Sequence, residues 1–237
     1  MAKTRQTLYQ TAMTQIRAVV FDAYGTLLDI HAAMAPYAGH LGQNWLQISS
    51  DWRAKQLEYS WVRSLAGPGR HRDFWTLTRE ALAWTAARHG IHDATLLEGI
   101  LSAYRQLAPY PEVPSLLAHI RGLGLTRAIL SNGETTMLAD AVRSAGIADL
   151  LDAVLSVDAA GVFKPDSRVY RLATDRLGLA AESIAFVSSN PWDAFGAHAF
   201  GFRVFHVDRA GAPPEYGLAD SGVTVIAGLS DLPARLS

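Results

Sequence analysis

Arg17-Ala18-Val19-Val20-Phe21-Asp22 is a short, β-branched apolar run that stops at a carboxylate and continues into Ala23-Tyr24-Gly25-Thr26. An apolar run without polar alternation reads as a strand buried on both faces, the mark of a parallel sheet, and the glycine-containing stretch after it reads as a loop. From about residue 30 to 108 the texture turns helical. Trp45, Ile48 and Trp52 recur at helical spacing and lead into Leu57, Trp61 and Leu65. Phe74, Leu77 and Ala81 form a second stripe, and Leu97, Ile100, Leu101, Tyr104 and Leu107 a third. Gly67-Pro68-Gly69 marks a turn between two of these helices. After Pro109-Tyr110-Pro111 strands return, at 126–131, 153–157, 184–188, 202–207 and 223–226, with helical patterns at 113–121, 135–145, 167–177 and 192–200. Repeated strand–helix units predict an α/β fold with a doubly wound parallel sheet. One strand stands before the helical block and five after it. The expected organisation is therefore an N-terminal extension (1–15), a core domain (16–29 and 110–237) and an inserted helical cap domain (30–109).

The 237 residues are 49% apolar and 18% charged, an ordinary globular composition. Lys and Arg number 21 against 22 Asp and Glu, for a net charge of −1, so no basic surplus calls for nucleic acid or anionic lipid. Cysteine is absent, which excludes disulfides, thiolate zinc sites and thiol nucleophiles. The polar N-terminus lacks an apolar signal core, and no apolar run approaches a membrane span. A cytoplasmic setting without membrane contact is expected.

Ligands of open parallel sheets bind beyond the carboxyl ends of the strands. The polar residues there are Asp22, then Ser131-Asn132-Gly133, then Ser188-Ser189-Asn190, with Lys164 just ahead of the 167–177 helix. Each has an ordinary reading. Asp22 and Thr26 are good turn and capping residues, Asn132 suits an Asx turn and Gly133 a positive φ, and Lys164-Pro165-Asp166 is a plain helix start. Their placement at successive strand ends favours a common site. The eight scattered histidines read as surface or cap residues, and the tryptophans, Trp192 excepted, as packing in the helical block. The dinucleotide, P-loop, zinc-protease and serine-hydrolase signatures are missing.

Val19-Val20-Phe21-Asp22-Ala23-Tyr24-Gly25-Thr26-Leu27-Leu28-Asp29, Ile129-Leu130-Ser131-Asn132-Gly133, Lys164-Pro165-Asp166 and Phe186-Val187-Ser188-Ser189-Asn190-Pro191-Trp192-Asp193 resemble, in order and spacing, the four motifs of the haloacid dehalogenase superfamily. The resemblance extends to the cap segment 52–59 and implies a Rossmann-like core. Within the superfamily the sequence resembles L-2-haloacid dehalogenases. Phosphatases of this superfamily carry a second Asp where this chain has Tyr24, and an acidic magnesium ligand where it has Ser189. A phenol with a reference pKa near ~10 is a poor acid/base at neutral pH, and a site short of one carboxylate holds Mg²⁺ weakly. Halide leaves as an anion and needs neither.

The resemblance implies Asp22 as a nucleophile toward C2 of a 2-haloalkanoate, with no cofactor and no metal. Lys164 would supply a cation beside Asp22, and Thr26 would orient it. Ser131 with the amides of Ala23, Tyr24 and Asn132 would hold the substrate carboxylate. Arg53 would receive the halide, with Asn132 and Trp192 completing its cradle. Tyr170, Ser188 and Asn190 would shape the site, and Asp193 would activate water, helped by Lys164 or Asn190. Trp52, Leu57, Tyr59 and Trp61 would wall a dry pocket, and the cap helices would pair a homodimer. A Mg²⁺-dependent phosphatase and a non-catalytic carboxylate-binding protein remain the alternatives at this stage.

Overall fold

The computed structural model describes residues 15–67 and 69–236. The expected N-terminal extension, save Gln15, and Pro68 of the predicted turn lie outside the described residues. Among the described residues, six strands form one sheet: β1 Ala18–Phe21, β2 Thr126–Ser131, β3 Ala153–Ser156, β4 Ile184–Ser188, β5 Arg203–Val207 and β6 Thr224–Ile226. Every pairing is parallel and the order is β3-β2-β1-β4-β5-β6. β1 and β4 are buried along their whole length, as continuous apolar strands at the centre of such a sheet must be. The doubly wound α/β architecture expected from the strand–helix alternation is present.

Among the described residues, eight α-helices accompany the sheet. Between β1 and β2 lie α1 Ala38–Leu41, α2 Trp45–Leu65, α3 Phe74–Arg88, α4 Ala94–Tyr104 and α5 Val113–Gly122. Then come α6 Thr135–Ser144, α7 Ser167–Leu177 and α8 Pro191–Phe200. Short polar side chains start several of them: Asp73 accepts from the Thr76 amide, Asp93 from the Thr95 and Leu96 amides, and Asp166 from the Arg168 amide. α7 stops at Gly178, whose φ of 63° lets the chain leave the helix in the left-handed conformation.

The stripe predicted on α2 holds through Ile48, Trp52 and Leu57, which are buried, but not at its end. Leu65 is 86% exposed. Trp52 is sealed inside, its indole N–H donating to the Thr78 carbonyl across the α2–α3 contact. No helix among the described residues is long and apolar enough to cross a membrane.

The chain leaves β1 for the first four helices and returns at one place. The Asp29 amide donates to Ala108 O, the Tyr110 amide to Leu27 O, and Leu28 bridges to Pro109. Arg209, just past β5, grips this crossing. Its guanidinium donates to Gly25 O at 3.2 Å, Thr26 O at 3.0 Å and Glu112 at 3.3 Å, and lies 3.8 Å over the Tyr110 ring.

Candidate active site

Parallel register carries the ends of β1, β2 and β4 to one level. Phe21 pairs with Ile129 on one side and Val187 on the other, so the residues one step further on, Asp22, Leu130 to Asn132 and Ser188 to Asn190, crowd the same edge. β1 feeds a connection toward β2 while β4 feeds one toward β5, and the crevice opens where the winding reverses.

Asp22 is at the centre, 5% exposed. One carboxylate oxygen accepts from Lys164 Nζ at 3.2 Å; the other accepts from Asn190 Nδ2 at 2.8 Å and Thr26 Oγ1 at 3.2 Å. Lys164 is fully buried. Its ammonium donates also to Asp193 at 2.8 Å and sits 4.9 Å from the centre of the Phe186 ring. A buried cation with hydrogen bonds to two carboxylates is stable only because both are there to replace its hydration. Asp193, buried, takes a second hydrogen bond from the Tyr170 hydroxyl at 2.8 Å. Burial raises the Asp193 carboxyl above its ordinary value; Lys164 opposes that rise and Asp22 adds to it. Tyr170 is raised by its own burial and then by Asp193, so its phenol stays a donor.

The turn beneath Asp22 is held from the β4 side. Thr26 Oγ1 accepts from the Ser189 amide at 2.9 Å, and Ser189 Oγ donates to Gly25 O at 2.7 Å. Asn190 also reaches Tyr24 O at 3.3 Å, and its own amide donates to Ser188 Oγ at 3.2 Å. Ser131 Oγ accepts from the Gly133 amide at 3.1 Å. Asn132 does not form the expected Asx turn. Its side-chain oxygen instead accepts from the Lys164 amide at 2.9 Å, fixing the lysine loop against β2. Gly133 does not adopt the expected positive φ either. Glycine is needed for space: a Cβ there would lie 2.9 Å from Cε2 of Tyr24 and 3.0 Å from Leu138.

Three buried polar atoms here lack a hydrogen-bond partner among the described residues: Tyr24 Oη, Arg53 Nε and Asn132 Nδ2. Such atoms are costly to leave unpaired and so mark a place where a polar ligand would be received. Arg53 projects from α2, and its charge counters the rise that burial imposes on the phenols of Tyr24 and Tyr104. Tyr24 stacks on Tyr104 at 5.6 Å, and Tyr104 packs on Trp52 at 4.8 Å. Trp192, half-buried at the start of α8, meets Trp61 edge to face at 5.4 Å. The structure thus gathers Asp22, Thr26, Lys164, Tyr170, Ser188, Asn190 and Asp193 into one hydrogen-bonded cluster, with Ala23, Tyr24, Ser131 and Asn132 beside it. It puts Arg53 near enough to act on the phenols of Tyr24 and Tyr104, while Trp192 faces Trp61.

The family profile of haloacid dehalogenase-like hydrolases matches residues 16–201. The chain belongs to that family. The (S)-2-haloacid dehalogenase 1 of Pseudomonas sp. (strain CBS-3) is 44% identical over 225 residues, covering 94% of this chain and 98% of that protein. The crystal structure of the L-2-haloacid dehalogenase of Xanthobacter autotrophicus with chloropropionic acid covalently bound superposes with a TM-score of 0.84. It is 40% identical and covers 94% of this chain and 98% of that one. A dehalogenase crystallised as an intermediate complex gives a TM-score of 0.90 at 41% identity, over 94% of this chain and 97% of that one. The family resemblance carried by the four motifs is borne out.

Several supports of this haloacid dehalogenase-family site escape a reading of the sequence. Arg209 is an unremarkable cation after a strand, and only the fold aims it at the Asp22 turn. Ser189 stands out in sequence for the carboxylate it is not, while in space it ties the turn to β4. Tyr104 stands in an apolar stripe, so its contact with Tyr24 is invisible there. Gly196, inside α8, is a helix-weakening residue with a purpose. A Cβ there would lie 2.5 Å from Tyr170 Oη and 2.6 Å from Cβ of Pro165. Gly196→Ala is expected to destabilise the protein by about 1–3 kcal/mol despite alanine's better helix propensity. It should also lower kcat, since Tyr170 can no longer sit at Asp193. Urea unfolding and steady-state rates measured side by side check both effects.

Proposed function

We propose that this chain is a hydrolytic dehalogenase that converts L-2-haloalkanoates to D-2-hydroxyalkanoates. Asp22 attacks C2 from the face opposite the halogen, the carbon–oxygen bond forms as the carbon–halogen bond breaks, and halide leaves with the bonding pair. Water then adds to the ester carbonyl of Asp22, the ester C–O bond to the side-chain carbon breaks, and Asp22 is restored. Only one displacement takes place at C2, so the configuration inverts.

The observation that carries this reading is the surroundings of the Asp22 carboxylate. It is buried and fixed by Lys164, Asn190 and Thr26, with unpaired donors on Arg53 and Asn132 close by. An anion attacking an anionic substrate needs positive potential and fixed donors in a dry site. Arg53 then takes the halide with Asn132 and Trp192, while Ser131 and the amides of Ala23, Tyr24 and Asn132 hold the substrate carboxylate. Asp193 removes a proton from the attacking water. Its raised pKa favours that role, and its hydrogen bonds to Lys164 and Tyr170 fix its position. The Lys164 ammonium between two carboxylates supplies the charge that a phosphatase draws from magnesium, so the reaction proceeds without metal.

In this proposal residues 30–109 are a cap over a core made of 16–29 and 110–237. Support for that division comes from the crossing at Leu28 and Pro109, where entry and exit lie side by side. A homodimer formed through the cap helices, in the cytoplasm, completes the reading; the absence of cysteine suits a reducing compartment.

The test is one incubation with L-2-chloropropionate and excess EDTA, run beside a phosphomonoester with Mg²⁺. Undiminished chloride release with D-lactate as product supports the proposal, and phosphate release in place of chloride overturns it. A single turnover in ¹⁸O-water with enzyme in excess reports the intermediate: the product hydroxyl must carry unlabelled oxygen, drawn from Asp22.

A further inference from the structure

Buried polar side chains without a chemical task occupy the helices between β1 and β2: Gln56 on α2, Thr78 on α3 and Tyr104 at the end of α4. They are joined in one chain. The Tyr104 hydroxyl donates to Gln56 Oε1 at 3.3 Å, and Gln56 Nε2 donates to Thr78 Oγ1 at 3.0 Å. The Thr78 carbonyl in turn accepts from the Trp52 indole at 2.9 Å, so three helices are tied together around one phenol. A buried amide needs partners for its polar atoms, and Gln56 finds one for its oxygen and one for its nitrogen.

The chain has a polarity. Gln56 commits its nitrogen to Thr78, so it turns its oxygen to Tyr104 and the phenol must point its proton there. The lone pairs of Tyr104 Oη are left for a donor. Arg53, one turn before Gln56 on α2, fills that place. Burial pushes the Tyr104 phenol up, and Arg53 opposes the rise through its charge and through a hydrogen bond. Arg53 Nε remains buried without a partner among the described residues. The Tyr104 ring also stacks on Tyr24, two residues beyond Asp22, and Asp22 itself acts on the Tyr104 phenol. The relay therefore ends at the reaction site.

The geometry points to Tyr104 as a positioning residue that aims Arg53 at the departing halide, with Gln56 setting the direction of its hydroxyl. The inference deepens the dehalogenase reading above and rests on it. The phenol moors the guanidinium, and the unpartnered Nε–H is presented to the leaving group. A fixed positive donor does more for a leaving group of higher charge density, so the mooring matters more for chloride than for bromide.

The test is Tyr104→Phe, which keeps the stacked ring and removes the hydroxyl. Each protein is assayed for kcat/KM on (S)-2-bromopropionate and (S)-2-chloropropionate. That quantity runs only to the first irreversible step, loss of halide, and does not sense hydrolysis of the ester. The variant should lose about tenfold with bromide as leaving group and about thirtyfold or more with chloride, so that the bromide-to-chloride ratio rises about threefold or more. Gln56→Met takes away the acceptor of the Tyr104 proton and should raise the ratio too. The double variant should go no further than Tyr104→Phe alone, since Gln56 acts through the hydroxyl. A hydroxyl that served folding alone would slow both substrates equally, so an unchanged ratio in Tyr104→Phe overturns the inference. A double variant whose ratio exceeds that of Tyr104→Phe overturns the relay through Gln56. Absence of halide release from the unaltered protein overturns the dehalogenase reading itself, and the positioning role with it.

Discussion

Asp22→Asn abolishes turnover, with kcat down by at least about 10⁴-fold, while the fold survives. The amide is nearly isosteric and can keep its place near Asn190 and Thr26. It has no anionic oxygen to form the ester, and nothing else among the described residues stands in line to replace it. Among the described residues Asp193 is the only other carboxylate on Lys164, and it is fully buried. The check is halide release by the purified variant against the unaltered protein, with circular dichroism and urea unfolding on the same samples. Residual release above a hundredth of the original rate, from folded protein, would remove Asp22 from the chemistry.

Lys164→Met carries the second large effect, this time on stability as well as rate. Methionine fills much of the lysine's volume but leaves Asp22 and Asp193 buried without the cation that faces both. Breaking a buried pair in this way costs about 3–5 kcal/mol. The pH dependence has a definite sign. Asp193 is already held above its ordinary carboxyl value by burial, and Lys164 is the largest influence opposing that rise. A carboxyl raised in the folded state favours folding fully below its unfolded value, and that contribution is lost as pH climbs through the folded value. Removing the lysine raises Asp193 further, so the loss extends to higher pH. The variant should therefore lose more stability relative to the unaltered protein at pH 8 than at pH 5, by urea unfolding, and its kcat should fall about 10³-fold or more. A deficit independent of pH would mean that the lysine acts on neither carboxylate.

Much of the fold is legible before any coordinates. β2, β4 and α7 fall on the spans expected from apolar runs and capping residues, because a strand buried on both faces has nowhere to put a polar side chain. Leu65 fails because periodicity reports which face a residue shares, not whether anything packs on that face at its end. Gly133 and Asn132 fail for a related reason. Both are good turn formers in sequence, yet in the structure one makes room for Tyr24 and the other accepts from a lysine 32 residues away. The strand-end positions of Asp22, Ser131 and Asn190 are local facts and can be read locally. The grip of Arg209 on Gly25 and Thr26 spans more than 180 residues and has no local trace.

The crossing at Leu28 and Pro109 has a consequence for how such proteins diversify. Because the excursion between the first two strands begins and ends at a single point, its length and contents place no demand on the path of the sheet. A whole block of helices can be lengthened, trimmed or traded for another without Asp22 changing its neighbours on the strands. New appetites can therefore be tried out above an unchanged hearth, with Arg209 holding the floor below through Gly25, Thr26, Tyr110 and Glu112.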